Sequence, residues 1–143
     1  MESHNPQEHI TIDGLTFINN ILYGTVEQDY YGMRCLYIAD ASTVSRLGNN
    51  LYFQEDAGQY IVYTDGRGYH MAKWDAYRQA TGWDGRSPTP ANPLFVDPEN
   101  RDFRLQAGSP AIDAGISVDG RTGDYAGKPL LGTPDIGALE AQE

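Results

Sequence analysis

The chain has 143 residues and a formal net charge of −10, from 20 acidic against 10 basic side chains. That length fits one domain able to bury roughly 70% of its unfolded surface, and a single cysteine, Cys35, excludes a disulfide framework or a multi-cysteine zinc site. A mean hydropathy of −0.53 without any long apolar run excludes a membrane span, and the acidic balance argues against nucleic acid, whose phosphates need clustered Lys and Arg.

Met1 to Glu8 is polar and lacks the apolar core of a signal peptide. If the protein is secreted, its leader is expected to have been removed or the chain cut from a larger one. From Ile10 the chain reads as a series of short β-type runs: Ile10–Ile12, Leu15–Ile18, Ile21–Tyr23, Cys35–Ile38, Thr43–Leu47, Leu51–Phe53 and Tyr60–Thr64. Gly, Asn or Asp punctuates them. Asn19-Asn20-Ile21-Leu22-Tyr23 recurs as Asn49-Asn50-Leu51-Tyr52-Phe53, 30 residues later. Asn tolerates left-handed backbone and suits a sharp corner, so paired Asn before an apolar strand at this offset is what stacked coils of a solenoid show. Two unrelated turns would show it too, and the spacing alone leaves both open.

His70 to Ala80 reads as a helix, with Met71, Trp74, Tyr77 and Arg78 on one stripe and Gly82 placed to end it. Phe95 and Asp102–Leu105 suggest two more short strands. The last forty residues read as loops rich in Gly, Pro and Asp, up to Ile136–Leu139.

The segments Asn92-Pro93-Leu94-Phe95-Val96-Asp97-Pro98, Asp102-Phe103-Arg104-Leu105, Ser109-Pro110-Ala111-Ile112-Asp113-Ala114-Gly115 and Asp135-Ile136-Gly137-Ala138-Leu139-Glu140 follow in this order. Upstream stand an Asn-Asn-Leu-Tyr strand and a Trp-bearing helix ending Ala80-Thr81-Gly82-x-Asp84. Together, over roughly Asn49 to Glu140, they resemble the closing part of right-handed parallel β-helix proteins that act on or bind polysaccharides. The resemblance implies an all-β fold, a short right-handed parallel β-helix of about two to three coils. One α-helix caps it and an irregular C-terminal segment closes it. The single domain, 1–143, would hold coils over 10–69, the capping helix over 70–82 and closing strands and loops over 83–143. Trp74 is expected in the core. Asp113 is expected to bond local backbone.

Candidate chemistry is thin. The β-helix lyases use a base and a cation near a uronate, on middle coils of a long helix. Here the lysines are only Lys73, on the helix, and Lys128, in the tail. A glycosidase needs two carboxylates flanking the scissile bond, and pairs such as Glu55-Asp56 or Asp29-Asp40 read as solvated surface. His70 reads as a cap or packing residue, Cys35 as a buried small hydrophobe. The Asp119-Gly120-x-x-x-Asp124 loop offers oxygens to Ca²⁺, but an Asp-Gly turn accounts for it, so no cofactor and no metal is expected.

Sugar rings stack their C–H faces on aromatics while their hydroxyls bond polar neighbours. The acidic loop Gln28-Asp29-Tyr30-Tyr31-Gly32 and Trp83, at a position the cap does not require to be large, supply such groups. The expected carbohydrate-binding residues are therefore Trp83, Tyr30, Tyr31, Tyr60, Asp84 and Gln28. Tyr60 and Tyr63, three apart on one strand, are expected on opposite faces. Residues 1–66 hold nine acidic and two basic side chains, against eleven and eight in 67–143. A face built from the coils is thus expected to be negative and to favour a largely neutral ligand. The expectation is an extracellular, non-catalytic carbohydrate-binding module for a neutral plant cell-wall polysaccharide such as xylan, tethered to a catalytic domain of a secreted bacterial enzyme. Two alternatives stand beside it. One is the C-terminal portion of a β-helix lyase or glycoside hydrolase. The other is an assembly domain, a homodimer formed through the open edge of the N-terminal coil.

Overall fold

The computed structural model describes residues 14–25 and 34–142. The expected strand Ile10–Ile12 lies outside them. The chain is mainly β, in small sheets, with one short helix. Strands β1 (Leu15–Ile18), β2 (Ile21–Gly24) and β3 (Arg34–Ile38) form one turn of chain; β4 (Val44–Gly48), β5 (Leu51–Gln54) and β6 (Tyr60–Thr64) form the next. Each strand of the first pairs in parallel with its counterpart: β1 with β4, β2 with β5, β3 with β6. The 30-residue repeat is therefore structural, with Ile21 opposite Leu51 and Tyr23 opposite Phe53.

Asn makes the corners. Asn19 and Asn49 adopt φ of 58° and 53°, the left-handed region that Asn tolerates better than most residues. The next Asn of each pair turns inward and joins the two turns of chain. Asn50 Oδ1 accepts from the Asn20 backbone N–H at 2.9 Å and from its Nδ2 at 3.1 Å, while Asn50 Nδ2 donates to the Phe17 carbonyl at 3.0 Å. Asn50 is fully buried, so these bonds satisfy both ends of an amide that water does not reach.

The parallel stacking stops at Thr64. Asp65 and Gly66, with φ of 46° and 76°, reverse the chain into β7 (Arg67–Tyr69), which pairs antiparallel with β6. Two central residues at positive φ are what a tight Asp-Gly hairpin needs. Coils were expected to run to residue 69, whereas the parallel pairing gives way here to an antiparallel hairpin.

A 3-10 turn, Met71–Lys73, then leads into α1 (Trp74–Thr81). Gly82 ends the helix at φ 72°, its N–H donating to the Arg78 carbonyl, which is the expected left-handed stop. Trp74 and Tyr77 are buried with Tyr52, Ile61, Val62 and Tyr69, and Met71 packs against them. Beyond the helix, the Asp84 N–H bonds the Leu47 carbonyl and the Ala91 N–H bonds the Tyr52 carbonyl. Irregular chain thereby takes up hydrogen bonds that a further turn of strands would have made.

β8 (Phe95–Asp97) and β9 (Asp102–Leu105), the two short strands expected here, pair antiparallel. The tail was expected to close the end of the stack and instead runs along its side. Asn19 pairs with Ile116 through two bonds, at 2.7 and 3.0 Å, and Asn49 donates to the Ala114 carbonyl at 3.2 Å. Leu51, Ala111 and Ile136 form the small core between tail and stack. Carboxylates organise this strand-poor segment by accepting backbone N–H groups. Asp135 takes those of Asp113 and Ala141, Glu140 those of Leu131 and Asp135, and Asp124 those of Lys128 and Glu140. Asp113 therefore donates its own N–H rather than accepting through its side chain; the acceptor is Asp135. Among the described residues, no helix is long and apolar enough to cross a membrane.

Candidate functional site

Register on one face sets tyrosines side by side. Tyr37 of β3 lies opposite Tyr63 of β6, and Arg34 opposite Tyr60. The Tyr37 and Tyr63 ring centroids are 5.8 Å apart with planes tilted by 31°. Tyr37 is 57% exposed, a large value for a residue in a paired strand. The Arg34 guanidinium lies 4.9 Å from the Tyr37 centroid and 5.0 Å from that of Tyr63, within cation–π range of both. Tyr60 continues the row, 5.8 Å from Tyr63 and 4.5 Å from the His70 ring.

Tyr60 and Tyr63 therefore share a neighbourhood, contrary to the alternation expected along a strand. The cause is Gly68 on β7. A Cβ there would fall 2.4 Å from the Tyr60 ring, so the ring leans across the space that glycine leaves. Both sides of the middle of β6 are covered as well, since Ile61 and Val62 are each buried. His70 is held by a 3.1 Å contact between Nδ1 and the Gln59 carbonyl. The result is a row of three phenol rings, extended by an imidazole and carrying one cation.

The other expected ligand-binding residues stand elsewhere. Gln28, Tyr30 and Tyr31 lie outside the described residues. Trp83 is half-buried and packs on the Tyr52–Trp74 core at the helix end. Asp84, expected to bind a sugar, faces the interior instead. It is fully buried and all of its hydrogen bonds go inward. Oδ2 accepts from the Tyr52 hydroxyl at 2.9 Å and the Tyr77 hydroxyl at 2.8 Å; Oδ1 accepts from Ser87 at 2.5 Å and Asn50 at 3.3 Å. Burial pushes its carboxyl above the usual range, against the pull of these donors. Burial, then the Asp84 charge, drives both phenols far up as well. Asp84 ends the row of inward amides begun by Asn20 and Asn50, and it serves the fold.

A hollow of about 910 Å³ opens between the β1–β2 corner and the tail, bordered by Ile18, Ile21, Phe103, Arg121 and Tyr125. Its rings do not offer a flat surface, since Phe95 and Phe103 meet edge to face at 79°. Its carboxylates are engaged: Asp102 binds Arg104 through both oxygens, and Asp124 accepts two backbone N–H groups. That geometry is a poor start for the paired acid and base of glycoside hydrolysis. Among the described residues, no group of His, Cys, Asp or Glu is placed to hold a metal ion. The tyrosine face, with ring area and hydrogen-bonding groups in contact, is the stronger candidate.

Sequence reasoning named Tyr60 of this face but missed Tyr37, Tyr63, Arg34 and His70 as a group. The missing link was the 26-residue offset between β3 and β6, shorter than the Asn repeat. A scan of the chain against protein-family models returns no match, and comparison with the curated proteins and with solved structures returns none either.

Proposed function

We propose that this protein is a non-catalytic carbohydrate-binding module built on a short right-handed parallel β-helix, and that it recognises a largely neutral polysaccharide such as xylan. The observation that carries the reading is the Tyr37–Tyr63 pair, an exposed ring beside a half-buried one, aligned across parallel strands and continued by Tyr60. Rings about 5–6 Å apart along a rigid face give a sugar chain an apolar track, since aromatic faces supply large contact area at low entropic cost. The fold reading rests on three parallel strand pairs between successive turns of chain, joined at stacked Asn corners.

Charge supports a neutral ligand. Arg34 opens β3, whereas Asp40 and Asp65 follow the ends of β3 and β6. Both signs border the face within a protein of net charge −10, so a polyanion meets more repulsion than attraction. On this reading the module works outside the cell, tethered to a catalytic domain that it holds against the plant cell wall.

Affinity electrophoresis through gels containing xylan, cellulose, mannan, pectate or alginate tests the reading. Retardation by at least one neutral polymer is expected, and its loss in Tyr37→Ala/Tyr63→Ala. Retardation by polyuronates alone, or a double variant that binds as well as the parent, would refute it.

A further inference from the structure

The tyrosine face carries a cation that has rings against it and no anion. The Arg34 guanidinium lies 4.9 and 5.0 Å from the Tyr37 and Tyr63 ring centroids, and neither ion pair among the described residues involves it. Arg78, which also lies over a ring, is by contrast paired with Asp75. The carboxylates nearest along the chain are tied elsewhere. Asp40 accepts the Ser42 N–H at 2.9 Å and its hydroxyl at 2.6 Å, and Asp65 accepts the Ala41 N–H at 3.3 Å. Both follow the far ends of β3 and β6, and at about 3.3 Å per residue roughly 13 Å separate the two ends of β3. Glu55, after β5, accepts the Tyr23 hydroxyl. The rings engage the charge of Arg34 and none of its five N–H donors. Arg34 is itself exposed, and Tyr37 remains 57% exposed with the guanidinium in place. A ligand can therefore reach the cation and the ring together.

We infer that Arg34 determines the specificity of this face by binding the carboxylate of an isolated acidic side group on an otherwise neutral sugar chain. The inference deepens the polysaccharide reading and rests on it for the main chain that lies over Tyr37 and Tyr63. The ligand class follows from the donor set. A guanidinium offers parallel N–H groups that one carboxylate accepts in pairs, and a charge that a hydroxyl does not answer. Contact with two rings already restricts the long side chain, so less rotamer freedom is lost on binding. One cation serves one carboxylate. A chain acidic at every ring would carry further carboxylates toward Asp40 and Asp65, and bonds from Ser42 hold the Asp40 carboxyl below its usual range and hence charged. The same arrangement gives the face a direction, with the acidic group at the start of β3 and β6 and neutral sugar toward their ends.

Titration calorimetry with three probes tests it: a linear xylo-oligosaccharide, the same oligosaccharide carrying one glucuronate side group, and an oligogalacturonate. The parent is expected to bind the glucuronate-bearing probe about fivefold more tightly than the neutral one, the upper end for a solvent-exposed ion pair. Added salt is expected to shrink that preference by screening. Arg34→Gln is expected to bind the two xylo-oligosaccharides alike, and Arg34→Lys, which keeps the charge without the fork, to retain part of the preference. Equal affinities in the parent overturn the inference, and so does a preference that survives in Arg34→Gln. An Arg34→Gln variant that binds neither also overturns it, because the guanidinium would then be holding the rings and not reading the acid. Tighter binding of oligogalacturonate than of either xylo-oligosaccharide overturns the claim of a single carboxylate. The main-chain reading is scored separately. Binding of both xylo-oligosaccharides without preference removes the Arg34 site alone, binding of the acidic one alone removes the tyrosine track alone, and binding of neither removes both.

Discussion

Two pairs of tyrosines show how one residue type takes opposite parts in this molecule. Tyr52 and Tyr77 are buried, and both hydroxyls end on the Asp84 carboxylate. Tyr37 and Tyr63 lie on the face of β3 and β6 with their rings toward Arg34 and, for Tyr37, largely toward solvent. In the first pair the hydroxyl decides the position, since a buried phenol must find a partner. In the second the ring decides it, and the hydroxyl is left to water. What separates the two pairs is the hydroxyl: in one it closes a buried cluster on Asp84, in the other it plays no such part.

Asp84→Ala tests the first pair most severely. It strands the donors of Asn50, Tyr52, Tyr77 and Ser87 in the interior, and breaking such a buried charged cluster costs about 3–5 kcal/mol. Urea unfolding measures it, and a loss under 1 kcal/mol would show that the cluster is dispensable. Asn50→Ala is the next largest, at about 2 kcal/mol, because it unpairs buried groups on both turns of chain. The second pair is expected to behave in reverse. Tyr37→Ala leaves stability within about 0.5 kcal/mol and lowers polysaccharide affinity about tenfold, or about 1.4 kcal/mol. Equal losses of stability in Tyr37→Ala and Asp84→Ala would erase the distinction.

The smallest effect is a pH dependence. The Asp84 carboxyl is raised by burial, so the folded state holds its proton more tightly than the unfolded chain does. Its contribution to stability is full below the unfolded value of about 3.9 and is lost as pH rises through the folded value. Melting temperatures of the parent and Asp84→Asn, followed upward from pH 4, should therefore show the parent losing ground to the variant. A parent that gains on the variant over that range would show that the hydrogen bonds outweigh burial.

Much of the strand pattern was legible. Seven runs in the first 64 residues were marked by β-type composition and turn residues, and six of them coincide with β1 to β6 to within a residue or two. The Asn-Asn repeat identified the corners because the constraint is local, a left-handed φ followed by an inward amide. The hairpin at β7 also had a local sign in Asp65-Gly66, but the short run Arg67-Gly68-Tyr69 has no apolar alternation to mark it as a strand. The site was less legible. Whether Asp84 faces a ligand or the core depends on Tyr52 and Tyr77, 32 and 7 residues away in the chain. The leaning of Tyr60 depends on Gly68 in a neighbouring strand, which alternation within one strand does not express.

The covering of β4 and β5 bears on how the molecules behave in company. The carbonyls of Leu47 and Tyr52 are already occupied by N–H groups of the chain's own irregular segment, from Asp84 and Ala91. A second molecule arriving at that flank finds those acceptors taken, and strand addition there has little to gain. Many copies at high concentration would on this account stay separate on that side, without zipping into a common sheet.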